Sequence, residues 1–586
     1  MKIWYNPDFF AILFLIILST FALKGLAQPG FYTSHDGETH VARIAQYYQA
    51  LADGQIPPRL AGSFYNGLGS PIFVYIYPLP YLLGSFIHLL GFSFVSSFKI
   101  IMMLSFIFSG IFSYLWLREI IKSERAAFLG AIFYTWVPYR FSLIYVRASL
   151  SETLAYTFLP LVFYSLTKLA SKQNLVWLTI SALSLSALLL SQNLVAAMTV
   201  PIIGTYILIL SFKQHSARYF FRSLIALIWG FAIASVTYLP SLLERQYIRF
   251  DEIINIAYYD HFASFWQLVR SPWGYGFDLS GTVNDQLSFQ IGLAHLLIIT
   301  IFIILIVKKV IVRYLISRKS ESFINNISKS DLILAIFFFA VLLLSILLML
   351  QTKLTVNIWQ QVKLLQIIDI PWRLLGIVAL ALSFLAAFVV KSIKNGLFFL
   401  VLIVFVLVAN RNHLRINQSI FFDDNHFDKF YGTATQYDEF TPKWRQTTRT
   451  PIGFDPGKPI EIVAGNAQFS DILAKSNQIS FEADVKTPSQ IQINKFYFPN
   501  WQIFDNGHKI AQNEITITGP TNLDLARQRD NSGLMSFELS EGSHKIKAKF
   551  SETPLRIFAN YLSFLSLILA IAVVLKNVKF IKSYQK

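Results

Sequence analysis

The sequence predicts a polytopic α-helical membrane protein with an extracytoplasmic β-sandwich domain near its C-terminus. Of the 586 residues, 54% are hydrophobic and only 14% are charged. A soluble domain has about 25% charged residues, so this chain has too little polar surface for water alone. Apolar segments of membrane-spanning length recur along the chain. Residues 478–550 instead alternate polar and apolar side chains, which is typical of strands.

Thirteen apolar segments qualify as candidate membrane helices, which need about 20 residues each. They are residues 8–27, 72–91, 96–117, 126–142, 154–170, 175–192, 194–212, 222–243, 288–307, 331–351, 372–390, 395–409 and 556–575. The first is too long for the apolar core of a signal peptide, and Leu26-Ala27-Gln28 is a weak cleavage site. We therefore expect segment 8–27 to remain as the first membrane helix.

Lys and Arg predict which loops are cytoplasmic, because basic residues are enriched on that side of a membrane. If every segment from residue 96 onward crosses, six basic clusters fall on one side, at 118–125, 168–172, 213–222, 308–319, 391–394 and 576–586. The extracytoplasmic parts are then 28–95, a short loop near 143–153, 244–287, 352–371 and 410–554. These loops and lipid headgroups account for the net charge of +17, so no nucleic-acid partner is expected.

Segment 72–91 does not fit this pattern as a crossing helix. If Lys2 is cytoplasmic, segment 8–27 already brings the chain outside, and residue 95 is outside as well. The segment also contains Pro78 and Pro80, and prolines break or kink helices. We therefore predict a re-entrant or juxtamembrane segment and about twelve spans, with both termini cytoplasmic. The alternative has thirteen spans, an outer N-terminus and residues 28–71 in the cytoplasm.

The segments divide the chain into three parts. Residues 1–409 form a transmembrane domain whose first outer loop is 28–95, residues 410–554 form an extracytoplasmic β-rich domain, and residues 555–586 form a final helix and a basic cytoplasmic tail. Turns such as Asp505-Asn506-Gly507 separate the alternating stretches, which predicts an antiparallel β-sandwich. The chain has no cysteine, which excludes disulfides, thiol catalysis and Cys-ligated metals.

The first outer loop holds a dense group of ionisable residues in the stretch from Ser34 to His40. A helical run follows, and Thr33 or Ser34 can cap its N-terminus. Asp36 and Glu38 suit the positive end of that helix. The capped end of an ordinary amphipathic helix at the membrane surface would look the same, so a functional role stays one of two interpretations.

His40, Arg43 and Tyr47 share one face of this helix by their spacing. Because Asp36 lies one turn before His40, a carboxylate, an imidazole and a guanidinium gather at the membrane surface. Asp and His are also metal ligands, but no further His is near Asp36 and His40 by helical spacing, so the sequence favours substrate binding over a metal.

Five residues in later outer loops are further candidates for substrate binding. Arg147 and Glu152 lie five positions apart at the mouth of two helices, where they form either a site or an ion pair that fixes the helix ends. Trp273 is either a saccharide-stacking surface or an interfacial anchor. Trp372 and Arg373 stand where an outer loop enters a helix, and Arg373 suits either a bidentate phosphate contact or a lipid headgroup.

Motifs of several common function classes are missing from the sequence. It contains no Gly-rich phosphate loop with Lys, no H-E-x-x-H and no G-x-S-x-G. An ATP-driven transporter is therefore unsupported. Asp and Glu are almost absent from the interiors of the apolar segments, whereas a proton- or sodium-coupled transporter needs such groups.

Three sets of residues resemble motifs of known membrane-protein families. They are Ser34 to His40 followed by Gly54-Gln-Ile-Pro-Pro-Arg59, then Arg147-x4-Glu152, and finally Phe496-Tyr-Phe-Pro-Asn-Trp501 with Asp505-Asn-Gly507 and Glu541-Gly-x-His544. With the order of helices, outer loop and outer C-terminal domain, the layout resembles the glycosyltransferase C superfamily. More specifically, it is similar to the bacterial YfhO family and to membrane proteins with a 6-pyruvoyl-tetrahydropterin-synthase-related domain.

The resemblance implies an inverting transferase that takes a sugar from a polyprenyl-phosphate-linked donor to a lipid, glycan or protein acceptor. In that superfamily the acidic residue of the first outer loop is the general base, which here is Asp36, with Glu38 as the competitor. Arg147 and Arg373 would neutralise the leaving phosphate, and Glu152 would orient the acceptor. A divalent metal stays open as a cofactor, although the sequence lacks an obvious second carboxylate pair to hold it.

Two other functions compete with the transferase. One is a transporter or flippase of a lipid-linked glycan, and the other is a non-catalytic assembly factor that binds cell-envelope glycan through the β-rich domain. A transporter needs a polar path across the bilayer, and here the acidic residues lie only at the outer ends of the apolar segments. The sequence therefore favours the transferase.

Overall fold

The computed structural model describes residues 6–252, 258–278, 286–315, 328–432, 435, 438–445, 457–517 and 533–583. These residues form mostly α-helices, followed by one β-rich part and a last helix. The helices are α1 (Pro7–Ala22), α2 (Gly37–Ala52), α3 (Ile72–Tyr75), α4 (Leu79–Leu89), α5 (Phe94–Ile121), α6 (Glu124–Thr135), α7 (Pro138–Phe141), α8 (Leu150–Lys172), α9 (Leu175–Ser191), α10 (Asn193–Gln214), α11 (Ala217–Leu243), α12 (Phe265–Val269), α13 (Leu293–Leu315), α14 (Lys329–Met349), α15 (Lys353–Gln361), α16 (Lys363–Gln366), α17 (Leu375–Ile393), α18 (Gly396–Asn410), α19 (Asp424–Asp428) and α20 (Pro554–Ser583).

Within the described ranges, seven helices are long and apolar enough to cross a membrane. They are Phe94–Ile121, Asn193–Gln214, Ala217–Leu243, Ser330–Met349, Pro371–Ile393, Gly396–His413 and Pro554–Asn577. The predicted multi-pass architecture is confirmed at this level, and the count of about twelve spans stays a prediction. Parts of the basic clusters at 308–319 and 576–586 lie outside the described residues.

The helices surround α17, which lies at the centre of the bundle. In the apolar stretch that includes α17, 94% of the residues are buried, whereas in the stretch of α20 only 11% are buried. α17 packs against α6, α13 and α14, and α20 packs against α11 at the periphery. Because α17 follows directly on Arg373, the central helix fixes the position of that side chain.

Segment 72–91 forms two short helices rather than one long helix. α3 has four residues and α4 has eleven, and Ile76 between them is extended. Eleven residues of helix reach only about 16 Å, which is shorter than a bilayer core of about 30 Å. The break coincides with Pro78, where we expected the helix to be interrupted.

Four helix–helix connections share one two-residue design. In each, a residue in the left-handed conformation ends one helix, and an Ser or Asn side chain caps the next. The four pairs are Lys122-Ser123, Gln173-Asn174, His215-Ser216 and Lys394-Asn395. All four lie at the predicted cytoplasmic clusters, so the predicted topology puts these similar turns at one end of the bundle.

The β-rich part is one connected antiparallel sheet. Its strands are β3 (Ile460–Ala474), β4 (Gln478–Phe496), β5 (Trp501–Asp505), β6 (His508–Lys509), β7 (Leu534–Leu539) and β8 (Gly542–Phe550), while β1 (Phe31–Tyr32) pairs with β2 (Ser419–Ile420) elsewhere. β3 pairs with β4 along most of its length, and β8 and β7 pair with the first and second halves of β4. The antiparallel strands are confirmed, whereas the sandwich of two separate sheets is not.

The turn motifs of this sheet have a structural role. Nδ1 of His544 on β8 lies 2.8 Å from Oδ2 of Asp505 at the end of β5. The backbone N–H of Lys545 donates to the side chain of Asn506, at 3.0 Å. The residues of these two motifs therefore hold β5 against β8.

Two buried arginines join the sheet to the helices. Arg59 of the first loop donates to Glu552 (2.9 Å) and, in the last helix, to Asn560 (2.7 Å). Arg556, whose side chain is fully buried, donates to Glu244 at the end of α11 (2.7 Å). These bonds connect the first loop, the end of α11 and the last helix at the point where the chain leaves β8.

Candidate functional site

Arg147 is the centre of a buried ionic cluster at one end of the bundle. Its Nη1 lies 2.7 Å from Oε2 of Glu152, and its Nη2 lies 3.0 Å from Oδ2 of Asp36. A π-helical turn, Ser142–Val146, precedes Arg147, and Ala148 after it has a positive φ of 53°. This sharp turn lets Arg147 fold back onto Glu152 in the first turn of α8.

The first outer loop reaches this cluster through its backbone. The N–H groups of His35 and Asp36 donate to the carbonyls of Val146 and Arg147, at 3.1 and 2.8 Å. These bonds hold Asp36 beside Arg147 although 111 positions separate them. The Asp36 side chain is 36% exposed, whereas Glu152 is 1% exposed. Asp36 is therefore the carboxylate of this pair that a solute can reach.

The N-terminus of α2 differs from the sequence prediction. Asp36 itself is the N-cap residue and makes no side-chain capping bond, so Thr33 and Ser34 do not cap the helix. The physical reason is competition, because the Asp36 carboxylate faces Arg147 instead of the helix N–H groups. Burial raises the pKa of Asp36, but nearby positive charge, that of Arg147 above all, outweighs burial and lowers that pKa.

Glu152 has a second partner inside the bundle. The hydroxyl of Tyr139 donates to Oε1 of Glu152, so both carboxylate oxygens are hydrogen bonded. The ring of Tyr139 also packs edge-on against Trp372, with the centroids 6.1 Å apart. Trp372 in turn lies under the guanidinium of Arg147, 5.0 Å from its ring centroid. Aromatic rings and carboxylates together surround the cation.

Trp372 links the cluster to a second acid–base pair. Its Nε1 donates to Oδ2 of Asp278 (3.2 Å), and Nδ1 of His261 lies 3.1 Å from the same oxygen. Burial raises the pKa of Asp278, but His261 and Arg147 outweigh it and lower the pKa to about 2. Asp278 is therefore ionised at neutral pH. It is the third carboxylate of this region, after Asp36 and Glu152, and it reaches the cluster through Trp372.

Arg373 lies beside Trp372 and pairs with Asp369. Its Nη1 is 2.7 Å from Oδ1 of Asp369, and both side chains are less than one fifth exposed. Asp369 has a positive φ of 47°, which turns its carboxylate toward the arginine four positions later. Burial raises the pKa of Asp369 to about 6 although Arg373 and Arg147 act against this shift. Nε of Arg373 is buried and makes no hydrogen bond within the described residues.

His40 and Arg43 meet at one hydroxyl on α4. Nδ1 of His40 lies 3.1 Å from the hydroxyl of Tyr81, and Nη1 of Arg43 donates to the same oxygen at 3.1 Å. The predicted shared face is confirmed. Burial, and then the charge of Arg43, lower the pKa of His40 to about 3, so this imidazole is neutral at physiological pH.

Two predicted site residues lie outside the cluster around Arg147. Glu38 is paired with His426 of α19, where Oε1 and Nε2 are 2.8 Å apart. Trp273 stacks on His413, with ring centroids 4.4 Å apart. Neither side chain contacts Arg147 or Arg373 in the described part of the chain.

The sequence prediction missed Asp278, His261 and Asp369. The pairing of Asp369 with Arg373 could have been predicted, since the two residues are four positions apart in Asp369-Ile-Pro-Trp-Arg373. The pairing of His261 with Asp278 could not be predicted from spacing, because 17 positions separate the two residues. Within the described ranges, no group of three or more His, Asp or Glu side chains is placed to hold a metal ion.

The apolar helices define this chain as a multi-pass integral membrane protein. It belongs to the family described as "6-pyruvoyl-tetrahydropterin synthase related domain; membrane protein", whose family model matches residues 73–416, more than half of the chain. The resemblance to this family is therefore confirmed. The matched range includes Arg147, Glu152 and Arg373, and begins after Asp36.

Two individual proteins are similar to this chain. An uncharacterised protein of Lactococcus lactis subsp. cremoris (strain MG1363) is 27% identical over 219 residues, which cover 36% of this chain and 35% of the relative. The cryo-EM structure of the arabinofuranosyltransferase AftD from Mycobacteria is 14% identical with a TM-score of 0.40. That likeness covers 69% of this chain and 26% of AftD. This chain thus matches about a third or less of the length of either protein.

Proposed function

We propose that this protein is a membrane glycosyltransferase that moves a sugar from a polyprenyl-phosphate-linked donor to an acceptor hydroxyl on the extracytoplasmic face. The reaction class comes from the resemblance of the motifs to the glycosyltransferase C superfamily. The single observation that supports it is the Asp36 carboxylate, which is part-exposed beside Arg147 at the edge of a buried cluster. The acceptor is a lipid, a glycan or a protein.

Asp36 is the proposed general base. The acceptor hydroxyl gives its proton to Asp36 while its oxygen forms a bond to C1 of the sugar. The bond between C1 and the phosphate oxygen breaks, and its electron pair leaves with the phosphate. Attack from the face opposite the phosphate inverts C1. Arg147 holds Asp36 in place and lowers its pKa, so the carboxylate is ionised and free to accept a proton, although the lower pKa makes it a weaker base.

Arg373 is the proposed partner of the leaving phosphate. Both terminal nitrogens of Arg147 already contact carboxylates, so its proposed role is to position Asp36 and Glu152. Arg373 contacts one carboxylate and has an unpaired Nε within the described residues. A guanidinium with a remaining donor suits the charge that develops on a departing phosphate.

A transfer assay tests the proposal. Purified protein in lipid is given radiolabelled polyprenyl-phosphate sugars and a membrane extract as acceptor. We expect Asp36→Asn to lower transfer by about 10²–10⁴-fold, because the amide cannot accept the proton. The matched control is Asp484→Asn on the exposed surface of β4, which should transfer like the wild type.

Glu38→Gln separates the two acidic residues of the first loop. Because Glu38 pairs with His426 and not with Arg147, we expect this variant to keep most of its transfer activity. If Glu38→Gln loses sugar transfer while Asp36→Asn keeps full activity, the general base is Glu38 and not Asp36. If folded wild-type protein transfers no sugar from any donor, the proposal is wrong and lipid flipping in liposomes is the next assay.

A further inference from the structure

A groove of about 520 Å³ lies beside the C-terminal end of α1, outside the cluster around Arg147. One wall comes from the residues that follow α1, and the other from the segment that follows α18. The lining residues are Lys24, Gly25, Gln28, Leu414, Arg415, Ile416, Asn417 and Ser419. Two cations and several uncharged polar groups therefore face an open space, and no Asp or Glu is among the lining residues.

The two cations of this groove have no acidic partner in the described part of the chain. The ammonium of Lys24 lies 5.1 Å over the ring of Phe21, and both Lys24 and Arg415 are exposed. Arg147 and Arg373 of the candidate site, by contrast, each contact a carboxylate. An arginine and a lysine that share a groove without a counter-ion attract an anion.

An exposed apolar stripe on α1 leads to this groove. Phe14, Ile17 and Phe21 are each about half exposed, at 53%, 51% and 54%. The spacing of three and four residues puts them on one helical face, and Lys24, just beyond the end of α1, places its ammonium over the ring of Phe21. An acyl chain lying along this stripe would bring its phosphate to Lys24.

The walls of the groove are fixed by hydrogen bonds. Lys99 donates to the carbonyls of Gln28 (2.7 Å) and Gly30, which holds the first wall. The hydroxyl of Tyr275 donates to the carbonyl of Arg415 at 2.9 Å, which holds the second. The carbonyl of Tyr275 accepts from Nε2 of His35 at 3.0 Å, so the groove is connected to the loop of Asp36.

We propose that this groove binds the phosphodiester headgroup of an anionic phospholipid from the leaflet around this end of α1. Two cations exceed the single charge of one phosphate, which favours a headgroup without an amine. The polar side chains of Gln28, Asn417 and Ser419 suit the hydroxyls of a glycerol headgroup. This binding is independent of sugar transfer and can be measured without it.

Native mass spectrometry of the full chain tests the proposal. Detergent-purified protein is given phosphatidylglycerol, phosphatidylethanolamine with the same acyl chains, and a polyprenyl monophosphate. We expect the wild type to retain phosphatidylglycerol. Each lost cation should weaken retention about fivefold, so the double variant Lys24→Gln/Arg415→Gln should lose about 25-fold.

Two variants control the experiment. Arg411→Gln removes an exposed cation four positions before Arg415 that does not line the groove, and it should retain phosphatidylglycerol like the wild type. Lys24→Arg/Arg415→Lys keeps both charges and should also retain it. Unchanged retention in the Gln double variant, equal loss in Arg411→Gln, or preferential retention of the polyprenyl monophosphate would each overturn the proposal.

Discussion

The guanidinium of Arg147 lies between two carboxylates with different surroundings. Glu152 is buried and receives a second hydrogen bond from Tyr139, whereas Asp36 is about one third exposed. One cation therefore serves as the counter-ion of a structural carboxylate and of an accessible one. Removing a buried partner of this kind leaves an uncompensated charge, so we expect substitution of Arg147 to destabilise the fold as well as to disturb the proposed site.

Asp369 gives this cluster a group that titrates near pH 6. Burial raises its pKa to about 6 in the folded protein, above the value of about 3.9 in an unfolded chain. The folded protein therefore binds a proton between these pH values that the unfolded chain does not bind. The resulting stabilisation is complete below about pH 4 and is lost as the pH rises through about 6.

Asp369→Asn should remove this pH dependence. Between about pH 7.5 and pH 5, the wild type should gain about 1 kcal/mol of unfolding free energy relative to the variant, since only the wild type takes up the proton. The measurement is thermal unfolding of detergent-purified protein at both pH values. Identical pH dependence in both proteins would show that Asp369 has an ordinary pKa.

The sequence could predict only the parts of the site that are close along the chain. Arg147 and Glu152 are five positions apart, and an ion pair between them was one of the two interpretations of that spacing. Asp36 was a candidate from its surroundings in the first loop, but its contact with Arg147 depends on backbone bonds between distant segments. Trp273 was a candidate by type, and its stacking on His413 depends on the packing of two distant loops.

Among the elements, the interruption of segment 72–91 was predicted, whereas the break of segment 126–142 between α6 and α7 was not. Prolines separated α3 from α4, and an Ser or Asn caps the next helix at each two-residue connection. These are local effects of a few residues. The sheet was harder to predict, because alternation of polar and apolar residues predicts strands but not which strands pair. Here β4 is long enough to pair with β8 along its first half and with β7 along its second half.

Gly376 in the first turn of α17 is an element-scale test of this packing. A Cβ atom at this position would lie 1.7 Å from the hydroxyl oxygen of Tyr156 on α8. Gly376→Ala must therefore displace the buried ring of Tyr156 or separate α8 from the central helix next to Arg373. We expect a loss of about 1–3 kcal/mol in unfolding free energy, measured by thermal unfolding in detergent.

Gly396→Ala is the matched control for this substitution. Gly396 begins α18, and a Cβ atom there would have no heavy atom within 4 Å. The control should be as stable as the wild type or slightly more stable, because Ala favours the helix. Equal destabilisation by both substitutions would contradict the close contact between Gly376 and Tyr156.

At the scale of the whole molecule, the main prediction is that both termini are cytoplasmic and the β-rich domain is extracytoplasmic. The chain has no cysteine, so single cysteines can be labelled from either side without background. In intact cells, a membrane-impermeant maleimide should label Lys509→Cys on the sheet. It should label Lys172→Cys at the end of α8 only after permeabilisation. Both side chains are exposed, so protection from the reagent would reflect the membrane.

Ile56→Cys separates the two topologies predicted from the sequence. Ile56 lies in the first loop and is 84% exposed. With about twelve spans and both termini cytoplasmic, this cysteine is labelled in intact cells. Labelling only after permeabilisation would instead support thirteen spans, and labelling of Lys172→Cys from outside would reverse the whole orientation.

The bonds of Arg59 also set an order of events during synthesis. Arg59 and Glu552 are 493 positions apart in the chain. A ribosome adds about 5–20 residues per second, so about 25–100 s pass between the two. Until Glu552 and Asn560 have been synthesised, Arg59 of the first loop has neither of these two hydrogen-bond partners. A chain truncated before Glu552 would never acquire these partners. Both hydrogen bonds of Arg59 are therefore complete only after synthesis has reached the last helix.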